Sequence, residues 1–133
     1  MTAHALIGGL SREKSYKVLA AQQPQVLVGT VGRTVDLYKR GKFSLKGVRV
    51  VVVDEADKIL EKSSSPAALN CLELMKEAAN SSGSNGEGAL LHAFSATYSK
   101  HSLKTIRKVM KSTGKETTFV KVSSDVTEKS ANL

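Results

Sequence analysis

The chain has 133 residues and a formal charge of +8 at pH 7. That length holds one domain and leaves no room for two well-packed ones, while being long enough to fold without disulfide or metal staples. Hydrophobic residues at 41% and charged residues at 24% exclude wholesale disorder.

Apolar runs such as Val50–Val53 are far too short to cross a membrane. The opening Met1, Thr2, Ala3, His4 has no basic region followed by an apolar core, so no secretory signal is expected. The single Cys71 excludes an internal disulfide framework and fits a reducing, intracellular compartment. Nothing in the sequence separates nucleus, cytoplasm and organelle. The excess of Lys and Arg points to a polyanionic partner, nucleic acid before others, with a merely solvated basic surface as the bland alternative. Aromatic residues at 5%, with no Trp, argue against a stacking platform for single-stranded bases.

In chain order, residues 5–7 predict a first short strand, followed by Gly8 and Gly9 as a turn. Residues 11–21 predict a helix with Ser11 as its N-cap. Residues 25–29 predict a second strand, and residues 31–40 a helix that stops at Gly41, a suitable C′ residue. Residues 48–53 are almost continuous valine. Such a strand is expected to be buried on both faces, the mark of a parallel sheet covered by helices. Helices follow at residues 55–61 and 66–79, the latter with Pro66 at a start where its missing N–H costs nothing.

Residues 80–88 contain no apolar side chain and three glycines, so they predict a surface loop. Residues 89–94 predict a fourth strand. Residues 99–111 predict the clearest amphipathic helix, with Leu103, Ile106 and Met110 on one side. Lys100, Lys104, Arg107, Lys108 and Lys111 line the other side. Residues 117–122 predict a fifth strand and residues 123–133 a polar tail or linker stub. Strands alternating with helices over short links define an α/β class with a parallel sheet flanked by helices.

Three segments carry chemistry, each at a strand end. Asp54, Glu55, Ala56 and Asp57 follow Val50–Val53 directly. Carboxylates at the C-terminal end of a strand stand where ligands bind in open α/β sheets. An Asp there suits a hard cation that accompanies phosphates and keeps its waters. A neighbouring Glu can polarise an attacking water. The competing explanation is an acidic helix start favoured by the helix dipole.

Ser95, Ala96 and Thr97 leave the fourth strand. Their hydroxyls can bond to the acidic cluster, or Ser95, Thr97 or Ser99 can simply cap the next helix. Thr30, Gly32 and Arg33 combine a helix N-terminus, a hydroxyl and a guanidinium into a phosphate-binding corner, or form an ordinary strand-to-helix turn. Gly8 and Gly9 permit close backbone approach by a ligand, or form a plain turn.

Taken in order, Gly8-Gly9, Thr30-Val31-Gly32-Arg33, Asp54-Glu55-Ala56-Asp57 and Ser95-Ala96-Thr97 resemble the motifs of the DEAD-box ATP-dependent RNA helicases. The resemblance runs from residue 4 to residue 122, as part of a helicase ATP-binding domain. It implies a RecA-like fold of the P-loop NTPase type. It implies that Asp54 holds Mg²⁺ through water and that Glu55 activates the water attacking the γ-phosphate of ATP. Asp57, Ser95 and Thr97 would link the ATP state to the grip on RNA. Thr30, Gly32 and Arg33, with Gly8 and Gly9 beside them, would hold the RNA backbone without reading its sequence. The stretch from Asp57 to Ser95 is long for the family, and the loop at residues 80–88 accounts for the excess.

Two departures stand out. Val31 occupies a position where the family usually has Pro, which would pre-set the first helical turn; weakened preorganisation is expected there, not loss of the site. No G-x-x-x-x-G-K-[ST] occurs in these residues; Gly41-Lys42 and Gly114-Lys115 lack its upstream glycine. The chain thus resembles the second half of a first RecA-like domain, incomplete because the phosphate-loop strand is absent. In that fold the absent strand lies beside the one ending at Ser95, so either its neighbours stay unpaired or residues 117–122 close the gap, and a marginally stable chain is expected.

The expected partners are RNA and a second helicase domain or the missing N-terminal segment, with no membrane. The parent would be an ATP-dependent RNA helicase, and this chain alone would not hydrolyse ATP. The alternative is a non-catalytic RNA- or protein-binding module derived from a helicase.

Overall fold

The structure, a computed structural model, describes residues 1–60, 64–81, 88–97 and 99–112 and the single positions 118 and 120. Its elements are β1 (Ala3–Leu6), α1 (Arg12–Gln22), β2 (Val26–Gly29), α2 (Val31–Lys39) and β3 (Val50–Val53). Then come α3 (Ala56–Leu60), α4 (Pro66–Asn80), β4 (Leu90–Ala93) and α5 (Lys100–Ser112). These follow the predicted order with small shifts at the ends. β1 starts earlier than its apolar residues suggest because the Thr2 carbonyl accepts the Gln25 and Val26 N–H groups at 3.0 and 3.1 Å. The ladder, not the apolar run, sets its bounds. The predicted fifth strand at 117–122, the tail at 123–133 and most of the loop at 80–88 lie outside the described residues.

β1 pairs with β2 in parallel, from Ala3 opposite Val26 to Leu6 opposite Gly29. β3 pairs with β4 in parallel, from Val50 opposite Leu90 to Val53 opposite Ala93. Parallel neighbours need a crossover, which α1 supplies for the first pair and α3 with α4 for the second. Among the described residues, β4 has β3 as its only strand partner, and helices rather than strands join the two sheets. The Tyr38 hydroxyl of α2 donates to the Glu77 carboxylate of α4. Lys39 pairs with Glu73 at 3.3 Å across the same seam.

The main core lies on one face of β3–β4, where Val53, Ala56, Leu60, Ala68, Cys71, Met75 and Ile106 pack together. α3, α4 and α5 all contribute to it. Burial pushes the Cys71 thiol up to about 11, so it stays protonated as a small apolar filler. Leu6, Leu19 and Leu37 form a smaller core where α1 and α2 cover β1–β2.

The expectation that the valine strand is buried on both faces is corrected here. Val50, Val52, Leu90 and Phe94 are 49%, 59%, 58% and 57% exposed. They share one side of the pleat, and the helices that cover this sheet pack on the Val51 and Val53 side. An all-valine strand has no polar side to betray which face stays bare.

Local signals hold the helices in place. Ser65 caps α4 by accepting the Ala68 N–H at 3.2 Å, with Pro66 in the first turn. Gly41 at φ 65° donates to the Tyr38 carbonyl at 2.8 Å, and Lys42 donates to Leu37 at 3.0 Å. That pair of bonds is a Schellman ending for α2. Ser11 stands at the start of α1 but its side chain makes no cap bond, against expectation. Asp36 instead ties α1 to α2, bonding Arg12 at 3.1 Å and Arg40 at 2.7 Å. The Arg40 hydrogen bond leads in holding its carboxyl below the ordinary range. Among the described residues, no helix is long and apolar enough to cross a membrane.

Candidate functional site

The adjacent ends of β3 and β4 build the acidic site. The Phe94 N–H donates to the Val53 carbonyl at 2.8 Å, and the Ala56 N–H donates to the Phe94 carbonyl at 2.9 Å. These bonds fasten the turn after β3 to the end of β4. Thr97 Oγ1 donates to Asp57 Oδ2 at 2.8 Å, across 40 residues of chain. Ser95 Oγ donates to the Thr97 carbonyl at 2.5 Å and stands close enough to the Asp57 carboxylate to act on it as well. A serine hydroxyl has one proton, so these two acceptors compete for it. Ser95 first and Thr97 second hold the Asp57 carboxyl below its ordinary value.

The competing role, capping α5, belongs to neither. Ser99 Oγ accepts the Ser102 N–H at 3.0 Å and is the cap. Ser95 and Thr97 are thereby left to Asp57.

Asp54 and Glu55 lead into the same turn. Asp54 Oδ1 accepts the Glu55 N–H at 2.8 Å. Glu55 sits at φ 49°, in the left-handed region that a residue with a Cβ occupies at a cost of about 1–3 kcal/mol. Its carboxylate pairs with Lys58 at 2.8 Å, and both side chains are about two-thirds exposed. An exposed pair of this kind opens easily, so it does not remove Glu55 from use.

Among the described residues, no three His, Cys, Asp or Glu side chains converge as a dedicated metal cage. A magnesium ion arriving with phosphates and keeping most of its waters needs only one or two carboxylates. Exposed Asp54, with Oδ1 alone engaged by the backbone, fits that demand.

The second cluster forms at the ends of β1 and β2. Gly8 and Gly9 form a turn closed by the Leu10 N–H on the Ile7 carbonyl at 3.3 Å. Arg33 Nη2 donates to the Gly8 and Leu10 carbonyls at 3.1 and 3.0 Å. The guanidinium thus clamps the glycine turn to α2, and its buried Nη1 has no hydrogen-bond partner among the described residues. Thr30 is the N-cap residue of α2, yet its side chain makes no cap bond and is exposed. A Cβ built on Gly8, Gly9 or Gly32 meets nothing within 4 Å, so these three present open backbone to solvent. All the predicted site residues therefore gather into two groups, one per sheet.

Residues 1–106 match the family model for DEAD/DEAH box helicases. The chain belongs to that family. Relatives include the ATP-dependent RNA helicase RhlB of Idiomarina loihiensis, 50% identical over 42% of this chain, and DBP3 of Mycosarcoma maydis, 34% identical over 70%. Human DDX39A is 49% identical over 41% of the chain. The chain spans only 13%, 15% and 13% of the length of these three relatives. The fold resembles the yeast DEAD-box splicing factor Prp28, with a TM-score of 0.62 over 83% of this chain and 22% of that one, at 24% identity. It also resembles S. cerevisiae Dbp5 in a structure bound to RNA and ADP BeF3, with a TM-score of 0.61 over 81% and 24% of the two chains, at 23% identity. A parallel sheet flanked by helices, as a partial RecA-like domain, is thus the observed fold.

Within this DEAD-box frame, the packing of Val31 and the crowding at Gly29 escaped the sequence reading. Val31, at the usual proline position, packs against the core built on Val53 and Ala56. It anchors the start of α2 through packing where proline would act through backbone restriction. Gly29 is required by space: a Cβ there would stand 2.6 Å from Thr34 Oγ1 and 2.8 Å from the Leu6 carbonyl. The Lys58–Glu55 pair joins the residue just before α3 to its first turn, where an acidic group is favoured by the helix dipole.

Proposed function

We propose that this chain supplies the acidic and RNA-facing half of the first RecA-like domain of an ATP-dependent RNA helicase. The observation that carries it is the Asp57–Thr97 bond, joined by Ser95, between the ends of two paired strands. In this role Asp57, Ser95 and Thr97 transmit the nucleotide state, because anything that moves the β3 turn strains their bonds to the β4 end. Asp54 holds Mg²⁺ through water, and the ion supplies charge neutralisation on the phosphates of ATP. Glu55 takes the proton of the attacking water once it parts from Lys58.

Thr30, Gly32 and the open Gly8 and Gly9 offer hydroxyl and N–H groups to phosphates, as suits sequence-independent binding. Arg33 holds that corner together and lends it positive charge. The chain has no phosphate-loop lysine, so alone it does not hydrolyse ATP; a second helicase domain and a phosphate-loop segment complete the machine.

A chimera tests this. The chain is placed behind the phosphate-loop half of the RhlB first domain and ahead of the RhlB second domain. RNA-stimulated ATP hydrolysis is expected, and Glu55→Gln should lower it by about 10²-fold or more. A folded chimera that binds RNA without hydrolysing ATP would instead identify a non-catalytic module. Hydrolysis indifferent to Glu55→Gln would overturn the assignment of the base.

A further inference from the structure

α5 has one face that the site above does not use. At 100° per residue, Lys100, Lys104, Lys108 and Lys111 fall within one stripe about a quarter-turn wide. All four are exposed. The helix contains no Asp or Glu. None of the ion pairs among the described residues involves these lysines. Consecutive members stand about 4.5–6 Å apart along the axis. The net positive charge of the chain thus has a defined ridge with no ion-pair partner for these four lysines among the described residues.

We propose that this lysine ridge is a second contact surface for the phosphate backbone of RNA, separate from the Arg33 corner. Three observations choose RNA over other polyanions. First, a helix that lies on a membrane must offer its apolar face to lipid. Here that face is spent: Ile106 and Ser102 are 4% and 1% exposed, and Ile106 sits in the main core. Second, a protein interface has an apolar, charge-depleted centre. The outer face of α5 offers the four lysines with Arg107, His101 and Thr105.

Third, the ridge is a row of cations at about one-turn spacing, four lysines with Arg107 among them. Lysine meets a phosphate as a point charge and arginine through its fork, and a row of both suits a repeated phosphate chain contacted without base readout. That RNA is the polyanion at hand rests on the family reading. α4 packs against both α2 and α5, so the ridge and the Arg33 corner are borne by helices flanking a common support. A strand longer than the corner needs can therefore gain affinity from both.

The test is binding of a fluorescent single-stranded oligouridine to the 133-residue chain, followed by anisotropy from about 50 to about 200 mM salt. Replacing all four lysines by Gln should flatten the salt dependence by about 0.7 in logarithmic slope for each phosphate no longer neutralised, and weaken binding at least about tenfold at low salt. The Lys104→Gln/Lys108→Gln pair should give about half the slope change, and four Lys→Arg changes should preserve binding. The altered positions are exposed, so helix content by circular dichroism should hold.

Unchanged binding in the fourfold variant, with Arg33→Ala still weakening it, would sink the ridge while leaving the helicase reading intact. Loss through the ridge with Arg33→Ala silent would support the ridge and remove the proposed corner. Binding of the unaltered chain to anionic phospholipid vesicles but not to the oligouridine would overturn the proposal.

Discussion

At the scale of single residues, Asp57 is the most informative group. Its carboxyl lies below the ordinary 3.8, through Ser95 first and Thr97 second. A depressed folded value means that the ionised form stabilises the fold. That contribution is fully present above pH 3.8 and is lost as pH falls through the lower folded value. Ser95→Ala and Thr97→Val should each move the Asp57 carboxyl back toward 3.8, the serine change more, as read by carboxyl NMR titration. Acid melts of both variants should lose less stability on acidification than the unaltered chain. An unmoved carboxyl in both would dissolve the proposed link between the strand ends. This link was only half legible in the sequence, because Ser95, Thr97 and Ser99 are three hydroxyls within one turn's reach of a helix start. The fold assigns the cap to Ser99, and no local pattern could have done so.

At the scale of elements, two glycines of one strand-to-helix turn answer to different forces. Gly29 is pinned by contact, so Gly29→Ala should destabilise by about 1–3 kcal/mol through overpacking. Gly32 has open space around it and lies in the first turn of α2, so Gly32→Ala should stabilise by about 0.4–1 kcal/mol. The same change should weaken RNA binding if phosphates approach the backbone there. Denaturant melts and RNA titrations on both variants check this. A Gly32→Ala chain that gains stability and keeps full RNA affinity would remove Gly32 from the interface.

Element order was legible because turn residues, apolar runs and caps all agreed: Gly41 ends α2 and Pro66 opens α4 as expected. Strand ends were less so, since hydrogen-bond ladders set them and a ladder needs a partner distant in sequence. The packing of Val31 on the β3–α4 core was invisible for the same reason. Gly8 and Arg33 were grouped through family order, and the structure supplies the hydrogen bond between them.

At the scale of the whole molecule, one sheet face decides behaviour in solution. Val50, Val52, Leu90 and Phe94 form an exposed apolar strip on β3–β4. Exposed apolar strips favour association. The purified chain should bind a hydrophobic dye, melt broadly and assemble as concentration rises. Sedimentation and calorimetry check this, and a sharp, concentration-independent melt of a monomer would contradict it.

Cys71 adds a built-in stopwatch. Its thiol is buried on the inner side of α4 and stays protonated to about pH 11, so an alkylating reagent must wait for the core to part. When opening and closing are fast, the labelling rate divided by that of an unhindered thiol is the fraction of time the core stands open. One natural cysteine thereby counts how often the β3–β4 core breathes, and how far a phosphate-loop partner or an RNA strand quiets it.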